Sequence, residues 1–176
     1  TVSEPAALSI TASTEDLSCY EANDGSISIA GAANIGQYLW SDGTVNLNPR
    51  TGLSAGTYSV TITDNTASAC TATASFTLSE PDSMELAIIA QVPVRCTGDS
   101  NAVLRAEVTG GSPNYRYNWN GQVQNSPISN GLGAGQYQVT ATDAKGCTAS
   151  NSYTLSEPTA LSVEATGSGV QCAGDA

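Results

Sequence analysis

Leu53-Ser-Ala-Gly-Thr-Tyr-Ser-Val-Thr-Ile-Thr-Asp64 returns as Leu132-Gly-Ala-Gly-Gln-Tyr-Gln-Val-Thr-Ala-Thr-Asp143. In both copies apolar and polar residues alternate with period two: Tyr58, Val60 and Ile62, then Tyr137, Val139 and Ala141. That alternation is the mark of a half-buried β-strand. The landmarks around it recur too. Glu4-Pro5, Glu80-Pro81 and Glu157-Pro158 are 76 and 77 residues apart, and Cys19, Cys96 and Cys172 are 77 and 76 apart. A fixed period of this length means a tandem array of small domains. The expected units are residues 1–80, residues 81–157, and the first strand and loop of a third unit at 158–176.

The rest of each unit has the same texture. Tyr38 and Trp40 share a face, as do Tyr115, Tyr117 and Trp119. Ile27 and Ile29 form an inward pair, matched by Leu104, Ala106 and Val108. First strands are expected at Leu8 and Ile10, at Leu86 and Ile88, and at Leu161 and Val163; last strands carry Phe76 and Leu78, then Tyr153 and Leu155. Turn formers separate these runs, among them Ser41-Asp-Gly43, Gly110-Gly-Ser-Pro113 and Asn120-Gly121. Short strands at this spacing predict an all-β fold of tandem immunoglobulin-like sandwiches, about seven strands each. A short seventh strand is expected around Asn46 to Leu53. An odd number of strands puts the two ends of a unit at opposite poles, as a linear array needs.

Tyr58 and Tyr137 sit where sandwich folds place a tyrosine corner, and Trp40 and Trp119 read as buried core. The competing role for the tryptophans is an exposed sugar-stacking platform. Cys19 follows the first strand and Cys70 opens the last; Cys96 and Cys147 hold the same places in the second unit. The expected staples are Cys19–Cys70 and Cys96–Cys147, one within each unit. Each closes a loop of about 50 residues, worth about 4 kcal/mol of unfolded-state entropy, and a small domain needs such a staple. Zinc prefers close cysteine pairs or added histidines, and the chain has neither. Cys172 is left without a partner in this scheme. It expects one about 50 residues further on in its own repeat, with a free thiol or an intermolecular bridge as alternatives. An isopeptide staple is disfavoured because the only lysine, Lys145, falls in a turn.

Sixteen acids face five basic residues, for a net charge of −11. That disfavours nucleic acid and anionic membranes, which attract basic patches. No apolar run of about 18 residues suggests membrane insertion. Disulfides imply an oxidising compartment, and the chain reads as a stretch of a longer secreted protein. There is no histidine, so no His-based triad or facial triad can form. No enzyme and no cofactor is expected. Glu15, Asp16, Glu21, Asp24 and Asp64 are expected to cluster near one pole of the first unit, but they lack the D-x-D-x-D texture of a calcium loop. Tyr20, Tyr115 and Tyr153 are the candidates for an exposed aromatic strip, which would favour a carbohydrate- or protein-binding accessory module of a secreted enzyme.

Each unit can be written L…C-x-(G/A)-x-D-G-S…Y-x-W-x-x-G…L-x-A-G-x-Y-x-V-T-x-T-D…C-T-A…L-S-E-P. This pattern resembles the SprB-type repeat of the large gliding-motility and surface adhesins of Bacteroidetes. The resemblance spans nearly the whole chain. It implies a stalk repeat of a cell-surface adhesin or extracellular filament, located at the bacterial surface and exported by the type IX route. Expected partners are neighbouring repeats of the same or adjacent chains, with surface glycans or cell-surface proteins as further candidates. A homopolymeric fibre subunit is the structural alternative. In Asp82-Ser83-Met84 the resemblance further implies a candidate O-glycosylation site at Ser83.

Overall fold

Alternating side chains give a β-strand one wet face and one dry face, so the chain must bury the dry faces of two sheets against each other. The computed structural model describes residues 8–30, 35–66 and 69–167. Among these residues six strands form the first sandwich: β1 (Thr11–Glu15), β2 (Gly25–Ala30), β3 (Ile35–Trp40), β4 (Arg50–Leu53), β5 (Gly56–Asp64) and β6 (Thr71–Leu78). Seven form the second: β7 (Glu85–Val92), β8 (Ala102–Thr109), β9 (Arg116–Trp119), β10 (Gln122–Gln124), β11 (Ile128–Leu132), β12 (Gly135–Thr142) and β13 (Thr148–Leu155).

The sheets are β1-β2-β4 with β3-β5-β6, and β11-β8-β7 with β10-β9-β12-β13. Every pairing is antiparallel. This is an immunoglobulin-like arrangement. The seventh strand of the second sandwich is β10, made by a two-residue hairpin in which Asn120 (φ 45°) and Gly121 (φ 86°) take the left-handed conformations such a turn requires. In the first sandwich the same place holds only a single bridge, Leu39 to Val45. The short strand expected near Asn46–Leu53 is β4.

Each sandwich has its own core. Leu17, Ile27, Ile29, Trp40, Leu53, Val60, Ile62 and Leu78 fill the first. Leu104, Tyr117, Trp119, Val139 and Leu155 dominate the second. Trp40 and Trp119 are 1% and 3% exposed, so neither is a sugar platform. The Trp40 indole N–H donates to the Leu47 carbonyl at 3.0 Å. Both tyrosine corners form: the Tyr58 hydroxyl donates to the Ser54 carbonyl at 2.9 Å and Tyr137 to Gly133 at 3.1 Å. Leu8 and Ile10 pack against the first core, although the paired strand starts only at Thr11. Leu161 and Val163, expected to open a third unit, lie in no strand and are 95% and 85% exposed.

On the outer face of β5 and β6, hydroxyls pair across the strands: Thr57 with Thr77, Ser59 with Ser75, and Thr61 with Thr73, at 2.7 to 3.1 Å. Cross-strand pairs of this kind each add a fraction of a kcal/mol and hold the register. Arg50 is less expected. It lies buried on β4 with its guanidinium 5.0 Å from the Trp40 ring centroid and 5.5 Å from that of Tyr58. One Nη bonds Asp42 at 2.7 Å. The Thr44 N–H and hydroxyl, and then Arg50, hold the Asp42 carboxyl down at about 2.

Truncating Trp40 to alanine should destabilise the first sandwich by about 3–5 kcal/mol. Tyr137→Phe should cost the second about 1 kcal/mol, one net hydrogen bond. Urea titrations followed by circular dichroism would read both.

Candidate functional site at the repeat junction

Some of the residues singled out in the sequence, Cys19 and Cys147 foremost, meet at the joint between the sandwiches, but not in the pairing expected. Cys19 is bonded to Cys147, 128 residues away and in the other sandwich. Cys70 and Cys96 are not disulfide-bonded. The expected bonds within each unit, Cys19–Cys70 and Cys96–Cys147, are therefore replaced by one bond between units. The reason is topological. Between Cys96 and Cys147 the chain runs through β8, β9, β10, β11 and β12. Five antiparallel strands, an odd number, carry the chain to the far pole. Strand β12 has eight residues, about 26 Å at 3.3 Å per residue, whereas a disulfide needs Cα atoms within about 7 Å. Across the joint, the Cys19 and Cys147 Cα atoms are 5.7 Å apart. Cys172 lies outside the described residues.

Two local devices present these cysteines, and each occurs twice. The first is the turn after the opening strand. Ala22 N–H donates to the Cys19 carbonyl at 3.2 Å, and Asp99 N–H to the Cys96 carbonyl at 3.1 Å. The third turn residue is left-handed in both, Glu21 at φ 54° and Gly98 at φ 81°. A glutamate from the Glu-Pro pair caps each turn. The Glu80 carboxylate accepts from Glu21 N–H at 2.7 Å, and Glu157 from Gly98 N–H at 2.8 Å. A side chain further on closes the loop: Asp24 accepts from Ser18 N–H at 3.0 Å, and Asn101 from Arg95 N–H at 3.4 Å. The Ser18 hydroxyl also bonds Asp24, and this bond first, then the Ser18 amide, pulls the Asp24 carboxyl below its usual value. Asp16 is lowered by Ser79, whose amide donates to it at 2.8 Å.

The second device is the hairpin turn that opens the last strand. Asp64 accepts from Cys70 N–H at 3.0 Å, and Asp143 from Cys147 N–H at 2.9 Å. Asp143 also takes N–H bonds from Lys145 at 2.9 Å and Ser112 at 2.7 Å. Burial pushes its carboxyl up, but the amides of Ser112, Cys147, Lys145 and Gly146 outweigh this and leave it below the ordinary value.

The linker is docked rather than free. Gly111 N–H donates to the Asp82 carbonyl at 2.8 Å. A Cβ on Gly110 (φ 73°) would sit 1.9 Å from the Ser83 carbonyl oxygen, and one on Gly111 (φ 67°) 2.5 Å from Met84 Cγ. Only glycines let the β8–β9 loop close on this segment. Met84 packs against the second core. Ser83 is exposed and lines the cleft beside the disulfide.

The acids do not form the single cluster expected. Glu15, Asp16 and Asp24 line the junction with Glu80 and, from the second sandwich, Lys145. Asp64 holds the Cys70 turn, at the opposite end of β6 from Ser79, whose carbonyl accepts from Leu17 N–H near Cys19. Among the described residues no group of three or more His, Cys, Asp or Glu is placed to hold a metal ion. Nor do the tyrosines make a strip: Tyr115 and Tyr153 pack on the second core, while Tyr20 is exposed beside Cys19. No helix among the described residues is long and apolar enough to cross a membrane.

Non-reducing peptide mapping of these 176 residues expressed on their own should recover Cys19 linked to Cys147, with Cys70 and Cys96 alkylated. Because the Asp143 pKa is depressed on folding, its stabilising contribution is complete above the unfolded value of about 3.9 and is lost as pH falls through the lower folded value. Asp143→Asn should therefore lower the melting temperature at pH 7 and flatten its fall between pH 4 and pH 2. Calorimetry across that range is the check.

No curated protein matches the sequence. Among solved structures, the C-terminal 282-residue fragment of intimin, in complex with the intimin-binding domain of its translocated receptor, is 11% identical, with a TM-score of 0.46. The match covers 84% of this chain and 64% of that fragment, so this chain spans less than two thirds of its length. Murine CEACAM1b is 13% identical over 85% of this chain and 100% of its own, at a TM-score of 0.35. The central fibronectin-III array of RIM-binding protein is 16% identical over 86% of this chain and 68% of its own, at 0.29. Residues 11–45, which hold β1 to β3, and residues 88–124, which hold most of β7 with β8 to β10, match the SprB repeat family, and the chain carries that repeat twice.

Proposed function

We propose that this chain is a stretch of stalk in a large secreted bacterial cell-surface adhesin or extracellular filament. The SprB repeats support an adhesin-type surface protein. The observation that carries the stalk reading is the joint. A linker hydrogen-bonded to the following sandwich, a glutamate cap on the preceding one and a disulfide across both remove the freedom a flexible connection would have. Two bodies held in one orientation transmit bending and torsion, which is what a spacer between a cell and a distant contact must do. The accessory-module reading lacks its aromatic strip, and the proposed function is mechanical rather than enzymatic.

The proposal extends to Ser83, whose exposed place at the joint suits it as an O-glycan acceptor. An intact mass of the native protein equal to that of its sequence would reject this point.

The cross-link also fixes how the chain answers to force. Tension applied at the two ends passes from Cys19 to Cys147 through the sulfur atoms, so the residues between them carry none of it. A separation of 128 residues hides about 430 Å of contour at 3.4 Å per residue. Single-molecule pulling should show that length appearing only after a reductant is added. Full extension in oxidising buffer would refute the load-bearing joint.

A further inference from the structure

Cys70 and Cys96 belong to the same two devices as the bonded cysteines, and the hydrogen bonds that hold each turn recur around them. The Cys96 turn has the same carbonyl closure, the same left-handed third residue and the same glutamate cap as the Cys19 turn. The Cys70 turn is held by Asp64 as the Cys147 turn is held by Asp143. Beside Cys19, Pro81 and Met84 line a cleft that the Cys147 turn completes. Beside Cys96, the equivalent Pro158 and Leu161 line a second cleft, and among the described residues no such turn lines it. Leu161 stands where Met84 does, 77 residues on. Met84 packs against the core of the sandwich that follows it, whereas Leu161 is 95% exposed.

We propose that Cys96 and Cys70 are the two halves of further junction cross-links. Cys96 takes the hairpin-turn cysteine of a following unit of the same kind, and Cys70 takes the first-loop cysteine of a preceding one. Each unit is then bonded to both neighbours and never to itself. In each new bond two thiols give up two protons and two electrons to a disulfide oxidant, which leaves as a dithiol. The occupant of the second cleft is thus an Asp-x-x-x-Cys hairpin turn, presented as Asp143 presents Cys147. In such an array successive closed loops overlap, because Cys96 lies inside the loop closed by Cys19 and Cys147. Cutting one disulfide therefore leaves the next junction locked. This rests on the junction geometry and not on the adhesive reading, so a failure of either leaves the other standing.

The full chain with residues 81–157 duplicated in place tests it. Thr97→Ser and Ser152→Thr, in the second copy only, mark that copy's peptides by mass and keep both hydroxyls. After oxidation by glutathione disulfide and digestion without reduction, two linked peptides are expected. Cys19 should be joined to the unmarked Cys147, and the unmarked Cys96 to the marked Cys147. Cys70 and the marked Cys96 should alkylate. An unmarked Cys96 that alkylates while Cys19 is bonded, or that joins the Cys147 of its own unit, overturns the proposal. Native protein mapped without reduction gives an independent answer. There Cys70 and Cys96 should each be joined to a cysteine of an adjoining unit, and finding both as free thiols, or Cys19 joined to Cys70, overturns it equally.

Discussion

The bond between Cys19 and Cys147 couples two sandwiches that have separate cores and could otherwise move as beads on a string. It closes a loop of 128 residues, and a cross-link of that span removes about 5 kcal/mol of unfolded-state entropy in the chain-entropy picture. For two small sandwiches, each of marginal stability alone, that is comparable to the net stability of a whole domain. Its position matters as much as its size. A bond inside one sandwich would stabilise that sandwich and leave the joint loose. A bond across the joint stabilises both and sets their relative orientation.

The smaller interactions make that bond possible. A disulfide tolerates only a narrow range of Cα separation, so two turns from different sandwiches must meet within about an ångström. Glu80 anchors the first turn to the exit of β6, and Asp143 anchors the second to the β8–β9 loop through Ser112. Gly110 and Gly111 let that loop rest against the linker. The Glu-Pro pair at each junction thus has two tasks. Proline fixes the backbone and removes a donor, while the glutamate caps the cysteine turn that precedes it in space.

Much of the fold was legible because it depends on local pattern. Alternation placed β5 and β12, both tyrosine corners formed where Ala-Gly precedes the tyrosine, and Asn120-Gly121 made the expected tight turn. Arg50 was not legible. Its burial depends on Trp40 and Tyr58 arriving from the opposite sheet, and nothing in its own neighbourhood marks a charged residue for the interior. The acids of the first unit were misplaced for a similar reason, since closeness along the sequence does not tell which pole a loop occupies.

The cysteine pairing is the instructive case. Five strands carry the chain from Cys96 to Cys147 at the opposite pole, and the length of β6 separates Cys70 from the Ser79 end that bonds Leu17 beside Cys19. The repeat spacing alone hid this by offering a nearer cysteine. By itself the sequence determined the period, the all-β character, the inward faces and the cysteine-bearing turns, because each follows from the order of neighbouring side chains. Only the tertiary structure decided which turns meet, because that depends on how two sandwiches stack end to end, and a disulfide forms between atoms that are close in space.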